Sequence, residues 1–401
     1  MTNASRRLPL EGIKILALSQ FGAGPYGTML LADLGAEVIK IEDPKSGGDV
    51  SRYIPPYTAE ADSLYFQSYN RNKKSMTLDL KTEEGRVIFR KLVAQSDAVF
   101  NNLRGDQPAK LGLDYAALGK TNPKIVCCSL SAFGTTGPRS AEPGYDNLMQ
   151  ALAGYMSFTG EPGGPPAKCG VSVVDHAAGL AAALGLVVGL FNAQRTGAGC
   201  DVDVSLLDTA ISMLTYLGIW NLNKDYNPER FPDSAHQTIV PAQNFETKDG
   251  YLVIFCAKEK FWKELCTVLG IPELITDPRS LSFHARMNNR DFVVSTLQSI
   301  FRTEGTSHLV SRLQGKVPVA AVNSLGHALN EPQVLARGMI VDVDHPAFGN
   351  IREVGSPIHI GGGRKTHDPA PSLGQHTESI LAEWLGYGSE QIRALRKEGV
   401  I

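Results

Sequence analysis

The feature that most limits what this chain can become is its opening segment, which reads as strand, loop, helix, strand. Ile13 to Leu18 is apolar and suits a strand, and Ser19 to Gly24 is a short loop. Pro25 fits the first position of a helix, where its missing N–H costs nothing. The helix is expected to run to about Leu34, Gly35 to stop it, and Glu37 to Glu42 to form the next strand. One such unit dictates parallel strands and a right-handed crossover. The pattern recurs in a strand at Ser75 to Leu80, a helix at Thr82 to Gln95 capped by Thr82, and strands at Ala98 to Asn101 and Lys124 to Leu130. The expected fold class is therefore α/β. Cys127 and Cys128 fall in the last of these strands and read as small core residues.

Further on, glycine–proline turns cover Gly134 to Pro143, and an apolar helix is expected near Leu148 to Phe158. A second glycine–proline stretch covers Gly160 to Pro166. Asp175 opens a helix rich in alanine, leucine and glycine, which Gly197-Ala198-Gly199 ends. Composition shifts near Trp220. The boundaries read as 1–220 for the first part of a large domain and 221–243 for a linker. A small α+β domain follows at 244–325, then a second linker at 326–350 and the rest of the large domain at 351–401. In the small domain a strand is expected at Tyr251 to Ala257, with helices at Glu259 to Leu269, Asp291 to Phe301 and Ser307 to Leu313. The chain ends in helices from about His376 and at Gln391 to Lys397.

Composition removes whole classes of function. The 401 residues carry 39 basic and 41 acidic side chains, a net charge of −2, so a broad nucleic-acid surface is excluded. A local basic pocket for one phosphorylated ligand is still allowed. Six scattered cysteines with no C-x-x-C pair give neither a disulfide scaffold nor a zinc site. MTNASRRLPLEG has no apolar signal core, and Ala177 to Phe191 is too short to span a bilayer. The expectation is a cytoplasmic protein with no membrane partner and no metal.

Three motifs bear on chemistry. Gly22-Ala23-Gly24-Pro25-Tyr26-Gly27 fits G-x-G-x-x-G between a strand and a helix, and Glu42 lies 20 residues beyond Gly22. That pattern suits a dinucleotide, or simply a tight strand-to-helix turn. Asn70-Arg71-Asn72-Lys73-Lys74 is either a solvated turn or a clamp for the phosphates of a nucleotide-like cofactor, with Arg104 and Lys110 able to join it. Asp175 is the only acid in a long apolar stretch. It suits a helix N-cap, or a carboxylate nucleophile that attacks a thioester if donors hold it and water is excluded. No G-x-x-x-x-G-K-[ST], G-x-S-x-G or H-E-x-x-H occurs, and Gly361 to Thr366 reads as a loop. His176 beside Asp175 reads as a packing residue.

Several of these residues resemble one family. AGPYGTMLLADLGAEVIKIE within Leu10 to Glu42 is similar to class III CoA-transferases, the group of formyl-CoA transferase and carnitine CoA-transferase. So are the Asn70 to Ser75 run followed by LDLKTEEGR, Phe133 to Pro138, and the Asp175 segment with Gly197 to Gly199. Pro318 to Asn323, Glu331-Pro332, Ala336 to Gly338 and Leu373 to Thr377 complete the likeness, in the family's order. The resemblance implies a Rossmann-like large domain from both chain ends, a smaller domain, a ring-like monomer and an interlocked homodimer. It implies Asp175 as the nucleophile, forming an acyl anhydride and then an aspartyl-CoA thioester. Coenzyme A enters as substrate, with no permanently bound cofactor. The implied CoA contacts are Phe21, Gly22, Ala23, Gly24, Asn72, Lys74, Asn102, Leu103, Lys110 and Tyr145.

There are departures from the family's pattern. Asp43 stands where some members have an arginine, and Gly22 where formyl-CoA transferase has a glutamine. The glycine-rich loop of that enzyme's small domain is missing. The related α-methylacyl-CoA racemases carry Gly-His-Asp where this chain has Gly144-Tyr145-Asp146, and an ordinary tyrosine, with a pKa of about 10, is a poor base. The resulting expectation is CoA transfer from an acyl-CoA, with succinyl-CoA as default, to a small carboxylic acid or a sulfinic isostere such as 3-sulfinopropionate. A racemase and a non-catalytic acyl-CoA-binding protein are the alternatives.

Overall fold

The β-branched and apolar runs of the first half become six strands: β1 (Lys14–Leu18), β2 (Glu37–Glu42), β3 (Lys74–Thr77), β4 (Ala98–Asn101), β5 (Val126–Ser131) and β6 (Cys200–Ser205). In the computed structural model they form one parallel sheet in the order β3-β2-β1-β4-β5-β6. The α/β reading holds. Strands β4 and β5 are buried along their whole length, Cys127 and Cys128 included, as expected where both faces of a parallel sheet are covered. Strand order reverses between β1 and β4. The loops leaving those two strands therefore diverge and open a crevice at the carboxyl ends.

The structure describes residues 7–361 and 363–401. The residues before Arg7, where the run read for a signal core begins, and Gly362 of the 361–366 run lie outside the described residues. The chain divides into two units. The larger holds Met1–Ala153, Gly170–Leu214 and Pro332–Ile401, and the smaller holds Gly154–Cys169 and Thr215–Glu331. Residues 221–224, read as the start of a linker, close the helix Thr215–Lys224. The segment 326–350 contains the helix Pro332–Ala336 and the hairpin strand Ile340–His345.

Five helices of the larger unit matter here: α1 (Ala23–Asp33), α2 (Leu64–Asn70), α3 (Glu83–Val93), α4 (Asp146–Leu152) and α5 (Val173–Thr196). Helix α1 starts ahead of Pro25, which still lies in the first turn, where no intrahelical N–H bond is lost. Thr82 caps α3 by accepting from the Gly85 N–H. The single helix expected over 148–158 is two, because Gly154 breaks it in the left-handed region at φ +83°. Helix α5 extends the expected apolar run to 24 residues and by length and composition could cross a membrane. Its Ala178, Ala182, Leu186 and Leu190 are instead buried, and the helix packs on α1, β5 and β6. Helices α1 and α5 touch backbone to backbone. A methyl group on Gly27 would lie 2.5 Å from the Gly179 carbonyl oxygen, so only glycine fits.

Both chain ends build this unit. The C-terminal helices Thr377–Leu385 and Ser389–Lys397 send Ile380, Leu381, Ile392 and Leu395 into the same core as Leu16, Ile39 and Val99. In the smaller unit Tyr251–Phe255 is the centre of an antiparallel sheet, flanked by Ala242–Glu246 and Val319–Ala321. Helices Glu259–Leu269, Arg290–Phe301 and Thr306–Leu313 bury Trp262, Leu265, Leu297 and Leu309 in that unit's core. The two flanking strands are invisible to sequence periodicity. One is mostly polar (AQNFE) and the other is three residues long.

Candidate active site

Asp175 stands in the first turn of α5, but it does not cap that helix. Ser172 holds the N-cap position and makes no side-chain cap bond. The free N–H groups are met from α4. Asp146 Oδ1 accepts from the Val174 N–H at 2.8 Å and from the Asp175 N–H at 3.2 Å. Asp146 is 4% exposed, and its Oδ2 accepts from the Gln150 amide at 2.6 Å. The capping reading of Asp175 is thus corrected, and its carboxylate is left without a hydrogen bond among the described residues. Burial, and after it the nearby Asp146 charge, push the Asp175 pKa up to about 7. A carboxyl with this setting, facing a cavity, has the marks of a reacting group.

The loop after β1 faces it. A methyl group on Gly22 would lie 3.2 Å from Asp175 Oδ2, so glycine keeps the approach to that oxygen open. Phe21, Gly22, Ala23, Asn102 and Gly144 line, with Asp175, a cavity of about 70 Å³. The first turn of α1 starts there, and a helix N-terminus offers N–H groups and positive potential. Phe21 adopts a left-handed backbone, φ +66°, with its ring edge-on to Tyr65 at 6.4 Å and to Tyr145 at 6.0 Å. Burial and the Asp175 charge hold the Tyr65 hydroxyl above its ordinary pKa. Burial, Tyr65 and Asp175 push Tyr69 up to about 12. Both tyrosines therefore stay protonated, as potential donors. A second cavity of about 280 Å³ lies at the carboxyl ends of β1 and β2, lined by Leu18, Ile41, Leu78, Leu103 and Leu111. Asn102 lines both cavities, so the two adjoin.

A sequence model of CoA-transferase family III matches residues 10–377. The chain belongs to CoA-transferase family III. It is 38% identical to succinyl-CoA:glutarate CoA-transferase of Mus musculus, covering 98% of this chain and 90% of the relative. It is 35% identical to succinate–glutarate CoA-transferase of Agrobacterium fabrum, over 94% and 96% of the two chains. Among solved structures, a CaiB/BaiF family protein from Brucella suis superposes with a TM-score of 0.81 at 34% identity, covering 94% of this chain and all of that one. This CoA-transferase therefore takes CoA thioesters as substrates rather than holding a resident cofactor.

The residues expected to contact CoA do not all gather at this site. Phe21, Gly22, Ala23 and Asn102 line the Asp175 cavity, and Leu103 lines its neighbour. Gly24 packs behind, where a methyl group would meet Ser19 and Asn102 Cβ atoms at 2.9 and 3.0 Å. Tyr145 is 61% exposed and reaches the site through its contact with Phe21. Lys110 and Arg104 both pair with Asp106, at 2.6 Å each. Asn72 and Lys74 are a correction. They lie at the amino ends of the strands, the opposite edge of the sheet, where Lys74 pairs with Glu37 at 2.6 Å and Asn72 donates to Asp33 at 2.7 Å.

The phosphate clamp is corrected with them. Arg71 is wholly buried, donates twice to Asp33 at 3.1 and 2.7 Å, and reaches Glu353 at 3.1 Å. Lys73 is also buried, donating to the Pro25 and Tyr69 carbonyls, and burial drives its pKa well below the ordinary lysine value. The run is interior wiring. Arg71→Met is accordingly expected to destabilise the fold by about 3–5 kcal/mol, stranding two buried acids, while the donor KM stays within about twofold. Denaturant unfolding and exchange kinetics check the two halves.

Glu42 likewise cannot serve a ribose. It is buried and holds Arg52 through two bonds, at 2.9 and 2.8 Å, which removes the dinucleotide reading. His176 contacts the Tyr69 hydroxyl at 3.0 Å. Sequence reasoning missed Asp146, Tyr65 and Tyr69. Asp146 meets α5 across 28 residues of chain, and no local signal announces that contact.

Proposed function

We propose that the protein moves CoA from an acyl-CoA, succinyl-CoA by default, to a small carboxylic acid, with Asp175 as the nucleophile. The observation that carries this reading is the Asp175 carboxylate itself: freed from capping by Asp146, without a hydrogen bond among the described residues, and open to approach past Gly22. Glutarate is the first acceptor to try, because the mouse and Agrobacterium relatives are named for it. A sulfinic isostere such as 3-sulfinopropionate follows.

The steps balance without any added reagent. An Asp175 oxygen attacks the thioester carbonyl carbon, the C–S bond breaks, and CoA leaves as thiolate with a mixed anhydride on Asp175. The thiolate attacks the Asp175 acyl carbon, the donor acid departs as carboxylate, and an aspartyl-CoA thioester remains. The acceptor carboxylate attacks that thioester and expels the thiolate. The thiolate then attacks the acceptor's acyl carbon and releases Asp175. N–H groups at the start of α1 are suited to the negative charge that develops on the carbonyl oxygen. In this reading the 280 Å³ cavity takes the nucleotide end of CoA, and Asn102 marks the junction with the reacting end.

An interlocked homodimer of ring-like subunits belongs to the same proposal. Supporting a self-partner, α5 leaves Leu180, Leu184, Val188 and Phe191 exposed along one side, an apolar stripe that a second copy would cover. A cytoplasmic setting, with buried thiols such as Cys127, Cys128 and Cys256 kept reduced, is proposed with it.

The test is intact-protein mass spectrometry after brief incubation with succinyl-CoA, followed by peptide mapping. The expected result is an adduct of CoA minus water, or an acyl adduct, on Asp175. An adduct on another residue, or acceptor exchange with no enzyme adduct under rapid quench, would overturn the nucleophile assignment.

A further inference from the structure

Three consecutive residues of the loop that faces Asp175 are each held by a side chain from elsewhere. The Ser19 carbonyl accepts from the Lys40 ammonium. The Gln20 N–H donates to the Asn102 amide oxygen at 3.0 Å, and the Gln20 carbonyl accepts from the Asn102 amide nitrogen at 2.8 Å. The Phe21 N–H donates to Asp49 Oδ1 at 3.2 Å. Lys40 and Asp49 are themselves an ion pair at 2.7 Å, each side chain 1% exposed. The pair is anchored below. Asp49 accepts from the Ser51 N–H at 2.9 Å and its hydroxyl at 2.7 Å, and the Asp49 N–H donates to Glu42 at 3.0 Å.

That investment is out of proportion to what a short loop needs for folding. A buried ion pair is weak evidence for stability, since apolar replacements of similar volume often do as well. Here each partner also binds the backbone of the loop, Lys40 at residue 19 and Asp49 at residue 21, beside the bonds Asp49 makes to Ser51. Phe21 sits at φ +66°, a conformation a non-glycine residue leaves unless its surroundings hold it. Held there, it directs its ring between Tyr65 and Tyr145 and sets Gly22 against Asp175.

We propose that Lys40 and Asp49 are positioning residues for the transfer reaction, acting through the backbone of Ser19 and Phe21 to hold Gly22 and the Phe21 ring against Asp175. The inference rests on Asp175 being the reacting group. Both side chains are 1% exposed, so they act through the backbone they bind, although Asp49 also borders the 280 Å³ cavity. A loop displaced by about an ångström would keep the fold and slow the attack by about 10- to 100-fold.

Two variants of the full chain test it. Asp49→Asn removes the charge opposite Lys40 and can fail to fold, because an ammonium is then stranded. The double variant Lys40→Met/Asp49→Leu removes both charges and keeps close to the same side-chain shapes. The readouts are the thermal midpoint and the first-turnover rate of Asp175 adduct formation at saturating succinyl-CoA. The expected result is a double variant that melts close to the parent yet forms the adduct at least about tenfold more slowly. A double variant with parental melting and parental rate would show a purely structural pair and overturn the proposal. If the parent exchanges CoA with no Asp175 adduct, the nucleophile reading fails separately. Steady-state exchange at saturating donor then decides between the same two outcomes for the pair.

Discussion

Asp175→Asn is expected to lower CoA exchange by about a thousandfold or more, as removal of a covalent nucleophile does, while the protein melts higher than the parent at pH 8. The second half of that result is the informative one. Burial and Asp146 raise the Asp175 pKa from 3.8 to about 7. For a carboxyl raised in the folded state, stability is full below the unfolded value and is lost as pH rises through the folded value. The parent therefore bears a cost at pH 8 that the neutral asparagine does not. Allowing for partial solvent access, that cost is on the order of 2 kcal/mol. Thermal melts from pH 4 to pH 8 should show the two proteins converging at the acid end, separating as pH rises from about 4 to about 7, and holding a constant gap above that. A variant that melts below the parent at pH 8 would mean the carboxylate is a structural partner after all.

The first-turnover rate of adduct formation should follow ionisation of the same group. With a pKa of about 7, the rate should climb about tenfold for each pH unit below 7 and level off above it. Asp146→Asn keeps an oxygen that can accept from the Val174 and Asp175 N–H groups but removes the charge. The rising limb should move toward acid, making the variant faster than the parent at pH 6. The shift should be smaller than the whole rise, because burial is the larger cause and Asp146 the second. Rapid-quench mass spectrometry across pH checks this. A limb that stays in place would remove Asp146 from the electrostatic account and leave it a capping role alone.

The strands were the most legible part of the chain. Glu37–Glu42 and Ala98–Asn101 appear with the boundaries that periodicity suggests, and Thr82 caps its helix as its position before Glu83 and Glu84 implies. These features are local. A strand's apolar content and a cap's hydroxyl act within a few residues of where they are written. Asp175 was legible as an anomaly, an acid in an apolar run, but its role was not. Its neighbours in sequence allow both a cap and a nucleophile, and position alone favours the cap.

What removed the cap was Asp146, which accepts from the first N–H groups of α5 and leaves the Asp175 carboxylate to the cavity. The basic run from Asn70 to Lys74 shows the same division in reverse. Its composition suggests a phosphate site, yet Arg71 is consumed by Asp33 and Glu353 and Lys73 by backbone carbonyls. The sequence by itself determined the α/β class, the strand-to-helix turn at Gly22, the family likeness and the identity of the unusual acid. Only the tertiary structure decided which charges are spent inside the protein and which remain for chemistry. The reason is physical: a buried charge is set by the partner that meets it, and Arg71 meets Asp33 across 38 residues and Glu353 across 282, separations that no local pattern spans.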